Sequence, residues 1–411
     1  MPTLRARLSI ADACTVIGDA GFGARPPGVG LELEWFVVDA AGRRVVDPAR
    51  IGAALDIDGP LPHHSRITFE PGGQLEISTL PSPDGPRALA VAEADALEAR
   101  TRLGVAGLAV VGVGCDAGAL QPRVIDEPRY RAMDTYFDAL GAAGATMMRS
   151  TASLQVNVGY APDVDAQWEY AHDLAPVVAA MFANSPLLDG RPSGWQTTRL
   201  ATWAALDPPR TRPVATAPGA RNTWIQYALD APVMLIRAND DCTVPSEPLT
   251  LRAWIHDGHA LGHPTEDDVA YHLTTLFPPI RPRGWLELRM LDALPEPWWH
   301  IAAAVTVTAL ADGATRDRLA PIVAGARDLW LDAAWHGVHH PVLGALATEV
   351  VDAVIPALAP SGYDATLIGR TEEFAADYVH RHRSLADDLL DAWTAHGTLA
   401  PPPEAVPAAA G

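Results

Sequence analysis

The sequence predicts an α+β fold built on a mainly antiparallel sheet. Three observations carry that expectation: strand-like runs joined by tight turns, helical runs set between them in no regular alternation, and an almost wholly helical stretch from about Pro297 onward. A chain of 411 residues, 48% of them hydrophobic, has enough apolar side chains to bury a large core around such a sheet.

Residues 1–27 read as a short helix and a breaker-rich link, Gly-Phe-Gly-Ala-Arg-Pro-Pro-Gly. A strand from Leu31 to Val38 then turns at Asp-Ala-Ala-Gly into Arg43–Val46. The segment RITFEPGGQLEISTLP reads as two strands around Pro71-Gly72-Gly73. An Ala/Leu/Glu-rich helix over about Pro86–Gly104 precedes a strand, Leu108–Val113. A helix over about Arg129–Leu140 leads into TASLQVNVGY, where apolar and polar residues alternate with period two. Helices are expected at 165–183, 197–205, 222–229 and 266–276, and strands at Val233–Arg237 and Trp285–Met290. The organisation expected is a helix and linker over 1–27, a single catalytic domain over 28–396 and a disordered tail over 397–411, PPPEAVPAAAG at its end.

Charge and cysteine usage narrow the function classes. Fifty Asp and Glu against thirty Lys and Arg leave a formal net charge of −20, which repels phosphate backbones and anionic lipid. Nucleic acid and membrane are therefore not expected as partners. Three cysteines, Cys14, Cys115 and Cys242, lie far apart and make neither a disulfide framework nor a zinc-ribbon spacing. The N-terminus is too polar for a signal peptide, and no 18-residue apolar run occurs, so a cytoplasmic protein is expected. Oligomeric state is left open.

Carboxylates on strands are the main chemical signal. In Gly-Leu-Glu-Leu-Glu-Trp, Glu32 and Glu34 share one strand face while Leu31, Leu33 and Trp35 take the other. Taken alone, that pattern is better explained by an ordinary amphipathic strand with a solvated face. In Thr-Phe-Glu-Pro-Gly-Gly-Gln-Leu-Glu, a three-residue loop at Pro71–Gly73 would put Thr68, Glu70, Gln74 and Glu76 on one face. A two-residue loop would separate Glu70 from Glu76. Four carboxylates on one face repel one another unless a divalent cation holds them, and oxygen ligands suit Mg²⁺ or Mn²⁺ better than zinc. In Trp-Leu-Glu-Leu-Arg, Glu287 and Arg289 fall side by side, either as a buried ion pair or as a metal ligand beside a phosphate-binding fork. Gln155 and Asn157 add two inward polar groups by the same alternation.

Other motifs point nowhere. Gly112, Gly114 and Gly118 imitate a dinucleotide fingerprint, but ALQPRVIDEPRY after them does not open a helix. His256, His259 and His263, like His336, His339 and His340, lack the HExxH spacing of a zinc site. Neither GxxxxGK[ST] nor GxSxG occurs.

Taken together, GLELEWFVVD, FEPGGQLEISTLP, PRYRAMDTYFD, MMRSTASLQVNVGY, FANSPLLDGRPSGWQTTRLATWAALDPPRT, TWIQYALDAPVML and YHLTTLFPPIRPRGWLELRMLDALP resemble the glutamate–cysteine ligases. The similarity is to the plant-type branch and most of all to the ergothioneine-pathway enzymes of actinobacteria, over about Gly30–Leu310. It implies a glutamine-synthetase-like catalytic fold, a curved antiparallel sheet forming a funnel flanked by helices, with two or three Mg²⁺ at its floor. By motif position, Glu32, Glu34, Glu70, Glu76 and Glu287 resemble metal ligands, and Gln155 stands where distant members carry a metal-binding histidine. Arg289 resembles the residue that touches the transferring phosphate, with Glu32 and Glu287 beside it in catalysis. Arg199 resembles the arginine that grips a substrate carboxylate. Tyr227 and Trp224 resemble the wall of a cysteine pocket, and Asn157 a further substrate contact. The activity implied is ATP-dependent ligation of glutamate to cysteine. A ligase for another amine, a guanidino-type phosphotransferase and a catalytically dead binding protein are the alternatives. On the resemblance, Glu32→Gln or Glu287→Gln is expected to abolish turnover with little loss of folding.

Overall fold

The computed structural model describes residues 7–26, 28–238 and 240–397. The expected tail over 397–411 lies outside the described residues apart from Gly397.

Its strands are β1 (Val29–Asp39), β2 (Arg44–Val45), β3 (Arg66–Phe69), β4 (Leu75–Ser78), β5 (Leu108–Val111), β6 (Ser153–Val158), β7 (Leu187–Leu188), β8 (Arg191–Pro192), β9 (Ile236–Ala238), β10 (Asp241–Thr243), β11 (Ile280–Pro282) and β12 (Leu286–Asp292). Helices run α1 (Ile10–Phe22), α2 (Pro48–Leu55), α3 (Gly85–Val105), α4 (Pro128–Asp138), α5 (Ala143–Ser150), α6 (Val164–Met181), α7 (Thr198–Leu206), α8 (Pro208–Thr211), α9 (Ala220–Asp230), α10 (Leu251–Asp257), α11 (Glu266–Leu273) and α12 (Trp298–Ala311). From Gly313 to His396 every element is helical, with short links between them. The short helices α2, α5, α8 and α10 and the strand β11 were not expected, and the run expected at Val233–Arg237 pairs only from Ile236.

Eight strands form one open sheet in the order β11-β12-β6-β1-β4-β3, with β2 and β5 also paired to β1, every pair antiparallel. Two short hairpins, β7–β8 and β9–β10, stand apart from it. The eleven-residue β1 is the hub. Its first half pairs with β4 and β6, and its second half with β2 and β5.

One sheet face is apolar because every second residue is: Leu31, Leu33 and Trp35 on β1, Leu154, Val156 and Val158 on β6, and Leu286 and Leu288 on β12 are all buried. The helices α3, α6 and α12 cover it. From Trp299 to Leu310, α12 is buried on every side, as its all-round apolar sequence requires. The helix Pro341–Leu358 is the one described helix long and apolar enough to cross a membrane. Here it packs on α6 and α12 and buries Leu343, Ala347, Val350, Val351 and Val354 in the core. The N-terminal helix α1 starts at a Ser9–Asp12 capping box and joins the same core through Ala13 and Ile17, against α9 and α11.

Candidate active site: a cleft with an acidic floor and an arginine wall

The other sheet face carries the charges. Glu70 and Gln74 exchange a backbone hydrogen bond (Glu70 N–H to Gln74 O, 2.9 Å) at the mouth of the β3–β4 hairpin, so Pro71–Gly73 is a three-residue loop. Gly73 takes φ +77° there, a conformation that costs a residue with a Cβ. That loop fixes the parity: Thr68 pairs with Glu76, Glu76 with Glu34, and Glu32 with Gln155. Glu32, Glu34, Glu70 and Glu76 therefore line one cleft of about 280 Å³, together with Gln74 and Gln155. The helices α4, α5 and α7 supply its walls through Tyr130, Met133, Met147, Met148 and Trp203.

Three of the four floor carboxylates are held by hydrogen bonds from their neighbours. Glu34 accepts hydrogen bonds from Ser153 N–H and Ser153 Oγ (both 2.8 Å) and from Gln155 Nε2 (3.0 Å). Glu76 accepts from Thr68 Oγ1 (2.7 Å) and Ser78 Oγ (2.8 Å). Glu32 accepts from Asn157 Nδ2 (3.1 Å), whose Oδ1 in turn accepts from Trp285 Nε1 (2.9 Å). Burial and mutual repulsion make Glu32, Glu34 and Glu70 reluctant anions. Burial, then Glu287 and Glu76, push the Glu32 carboxyl up to about 7. Burial and Glu76 raise Glu34, and burial with Glu76 and Glu34 raises Glu70 well above the usual carboxylate range.

Glu287 stands on the same face in the opposite condition. It is 1% exposed, and Arg281 grips it with Nε (2.5 Å) and Nη2 (3.0 Å). Arg283 Nη1 lies at 3.1 Å and Arg289 Nη1 at 3.6 Å. Burial alone would raise its pKa, but Arg281, Arg289 and Arg283 overrule that and hold the carboxyl down at about 2. Arg281 and Arg283 were absent from the expected site. Their signal was present in Ile-Arg-Pro-Arg-Gly-Trp-Leu-Glu-Leu-Arg, where residues 281 and 283 repeat the two-residue spacing of Glu287 and Arg289.

Arg289 donates to Gln155 Oε1 (2.7 Å), so the one Gln155 atom able to ligate a metal faces a guanidinium, while its amide nitrogen reaches Glu34. Arg199, 3% exposed on α7, donates through Nη2 to Arg289 O (2.8 Å), and its Nη1 is buried with no hydrogen-bond partner. Burial lowers the Arg199 pKa, opposed first by Asp292 and then by Glu34. An orphaned guanidinium nitrogen on the cleft wall is a ready receptor for a carboxylate or phosphate oxygen.

Three residues expected to contact substrate lie outside the cleft lining: Asn157, whose amide is taken up between Glu32 and Trp285, and an aromatic pair on α9. Trp224 and Tyr227 do not line the cleft. They stack on each other (ring centroids 5.7 Å apart) in the main core, 1% and 6% exposed, with Trp224 against Gly21 of α1. The physical reason is the helix: α9 buries Thr223, Trp224, Ile225, Tyr227, Ala228 and Leu229, so the aromatic pair serves packing of α9 on α1.

The donor chemistry of the floor suits a hard divalent cation. Four carboxylates with oxygen ligands only, three of them with raised pKa, gain most from an added positive charge. Among the described residues no three carboxylates are already gathered around one point, so a cation would draw them together.

The glutamate–cysteine ligase family 2 model matches residues 28–343. The chain belongs to that family. It is 36% identical over 405 residues to the glutamate–cysteine ligase EgtA of Mycobacterium tuberculosis, covering 94% of this chain and 90% of the relative. To EgtA of Mycolicibacterium smegmatis it is 38% identical over 384 residues, covering 90% and 88%. The chloroplastic glutamate–cysteine ligase of Medicago truncatula is 29% identical over 258 residues, 58% of this chain and 48% of its own length. In fold, it superposes on the Francisella tularensis glutamate–cysteine ligase solved with AMP (TM-score 0.57, 12% identity, 92% of this chain and 87% of that one). It also superposes on half of a bifunctional glutathione synthetase from Pasteurella multocida (TM-score 0.55, 15% identity, 94% and 52%). The fold class expected from sequence, α+β on a mainly antiparallel sheet of this ligase type, is the one found.

Proposed function

We propose that this enzyme joins the γ-carboxyl of L-glutamate to the amine of L-cysteine at the expense of ATP, giving γ-glutamylcysteine, ADP and phosphate. The observation that carries the reading is the bipolar cleft: an acidic floor of Glu32, Glu34, Glu70 and Glu76 facing a wall on which Arg199 and Arg289 stand. Such a cleft suits a reaction that brings polyanions together.

A carboxylate is a poor electrophile, so it must first be activated. A γ-carboxylate oxygen of glutamate attacks the terminal phosphorus of ATP, the bond to the ADP oxygen breaks, and γ-glutamyl phosphate forms. The cysteine amine then attacks the acyl carbon, loses a proton, and phosphate departs. Arg289, already aimed into the cleft by its bond to Gln155, is placed to offset charge on the transferring phosphoryl group. Arg199 offers its free Nη1 to a substrate carboxylate. Glu32, Glu34, Glu70 and Glu76 would hold Mg²⁺ or Mn²⁺, with Gln155 and Glu287 available only if they release Arg289 and Arg281. Bound there, the cation would neutralise phosphate oxygens and act as a Lewis acid on the transferring group.

The names of the mycobacterial relatives support glutamate and cysteine as the pair joined, and ergothioneine biosynthesis as the use of the product rests on the motif resemblance. With Trp224 and Tyr227 in the core, cysteine as the acceptor rests on family membership and those names, and another small amine is the reading to test beside it. The enzyme is taken to work in the cytoplasm, where ATP is supplied. The deciding experiment measures ADP release with ATP, Mg²⁺ and glutamate while cysteine and then other amines are added, with products identified by mass. Cysteine-dependent release with γ-glutamylcysteine formed is expected. Release with another amine alone would discard cysteine, and no release from folded protein would discard the ligase.

A further inference from the structure

Behind Arg199 lies a buried anion that the reaction outlined above does not use. Asp292 ends β12 and is 2% exposed. Its carboxylate accepts three hydrogen bonds: Asn184 N–H at 2.9 Å and Ser185 Oγ at 2.7 Å on one oxygen, and Thr197 Oγ1 at 2.9 Å on the other. Those two hydroxyls face the first turn of α7. Thr197 is its N-cap and accepts from Leu200 N–H (3.3 Å), while Ser185 Oγ accepts from the backbone N–H of Arg199 itself (3.2 Å). Each hydroxyl thus hands an amide of α7 on to one carboxylate. Of the charges that act on Arg199, Asp292 is the strongest attractive one.

The room for this carboxylate is made by a glycine. A Cβ on Gly114 would stand 2.3 Å from Asp292 Cγ, so only glycine lets the β5–α4 connection pass so close. The Gly112-x-Gly114 motif that imitates a nucleotide fingerprint thereby has a structural use.

We propose that Asp292 is a positioning residue: through Ser185 and Thr197 it fixes the first turn of α7 and so aims Arg199 into the cleft. A buried carboxylate costs solvation, and three donors, two from the Asn184–Ser185 segment after α6 and one from the α7 N-cap, offset that cost only in this geometry. The proposal rests on Arg199 receiving the substrate glutamate's carboxylate, and the experiment separates the two.

Steady-state kinetics would be measured for Asp292→Asn, Ser185→Ala and Thr197→Val, each also in an Arg199→Lys background. Asp292→Asn is expected to raise KM for glutamate about tenfold, with a smaller change in kcat, because a misaimed guanidinium weakens binding before chemistry. Ser185→Ala and Thr197→Val should shift KM in the same direction by about two- to fivefold. In the Arg199→Lys background the Asp292→Asn effect should vanish. A KM that moves with Arg199→Lys but with none of the other three overturns the positioning role alone. Additive effects in the double variants also overturn it, and a KM indifferent to Arg199→Lys overturns both the carboxylate reading and the positioning role. If Asp292→Asn does not fold, the two hydroxyl variants decide the question.

Discussion

Glu32 and Glu287 sit on the same sheet face, with Asn157 between them, hydrogen-bonded to Glu32 and paired in register with Glu287. One is pushed up to about 7 and the other held at about 2. Burial acts on both in the same direction, so the difference is one of neighbours. The β1–β4 side of the cleft concentrates carboxylates, and the β11–β12 side has already neutralised its own with Arg281, Arg283 and Arg289. A half that lacks positive charge thus faces a half that has it in excess. On the proposed reading, cation and polyanionic substrate would take separate places.

The largest expected effect comes from breaking the arginine-rich half. Glu287→Gln leaves three guanidinium groups without their carboxylate and should cost about 3–5 kcal/mol of stability in urea denaturation. This revises the expectation, drawn from sequence, that the substitution would spare folding. Stability within about 1 kcal/mol of the parent would mean that the arginines find other partners. Next, Arg289→Lys should lower kcat for ADP release by about a hundredfold or more, since an ammonium cannot keep the forked contact. A near-parental rate would remove Arg289 from the chemistry.

Filling the acidic half gives a gain where breaking the other gave a loss. Mg²⁺ at a hundred times its dissociation constant should stabilise the metal-free protein by about 2.7 kcal/mol, and Glu32→Gln should reduce that gain in a thermal-shift titration. An undiminished gain in the variant would place the cation elsewhere. The smallest effect is the subtlest. In chelator, Glu32→Gln should stabilise the protein near pH 8 by about 1 kcal/mol, because it removes one of several repelling charges.

The pH dependence should separate the two halves. Glu32 has a folded pKa raised above its unfolded value, so its contribution is complete below about pH 4.5 and is lost as pH rises through about 7. Glu287 is depressed, so its contribution is complete above about pH 4.5 and is lost as pH falls towards about 2. Metal-free stability curves of the two Gln variants should flatten on opposite sides of pH 4.5. Flattening on the same side would undo the comparison.

Much of the acidic half was legible in sequence because it follows from period-two alternation and one loop length. Leu31, Leu33 and Trp35 went to the core and Glu32 and Glu34 to the cleft. The arginine half was half hidden. Arg281 lies on a three-residue strand containing Pro282, too short to display a period, and Arg283 lies in the turn after it. The aromatic pair on α9 misled for another reason: Trp224 and Tyr227 are three apart on a helix, a spacing that fits a core-facing stripe as well as a pocket wall. Asp292 was silent, since nothing in Leu-Arg-Met-Leu-Asp tells that its partners come from residues 184, 185 and 197.

The central place of β1 bears on how the chain is made. Glu32 leaves the ribosome before its neighbours: the strand that flanks it on one side begins only at Ser153, and the strand beyond that only at Leu286. Until β12 arrives, β6 presents a row of unpaired amides and carbonyls next to a concentrated patch of negative charge. A nascent chain in that state is open to pairing with other chains, and folding to completion has to wait until β12 has been made.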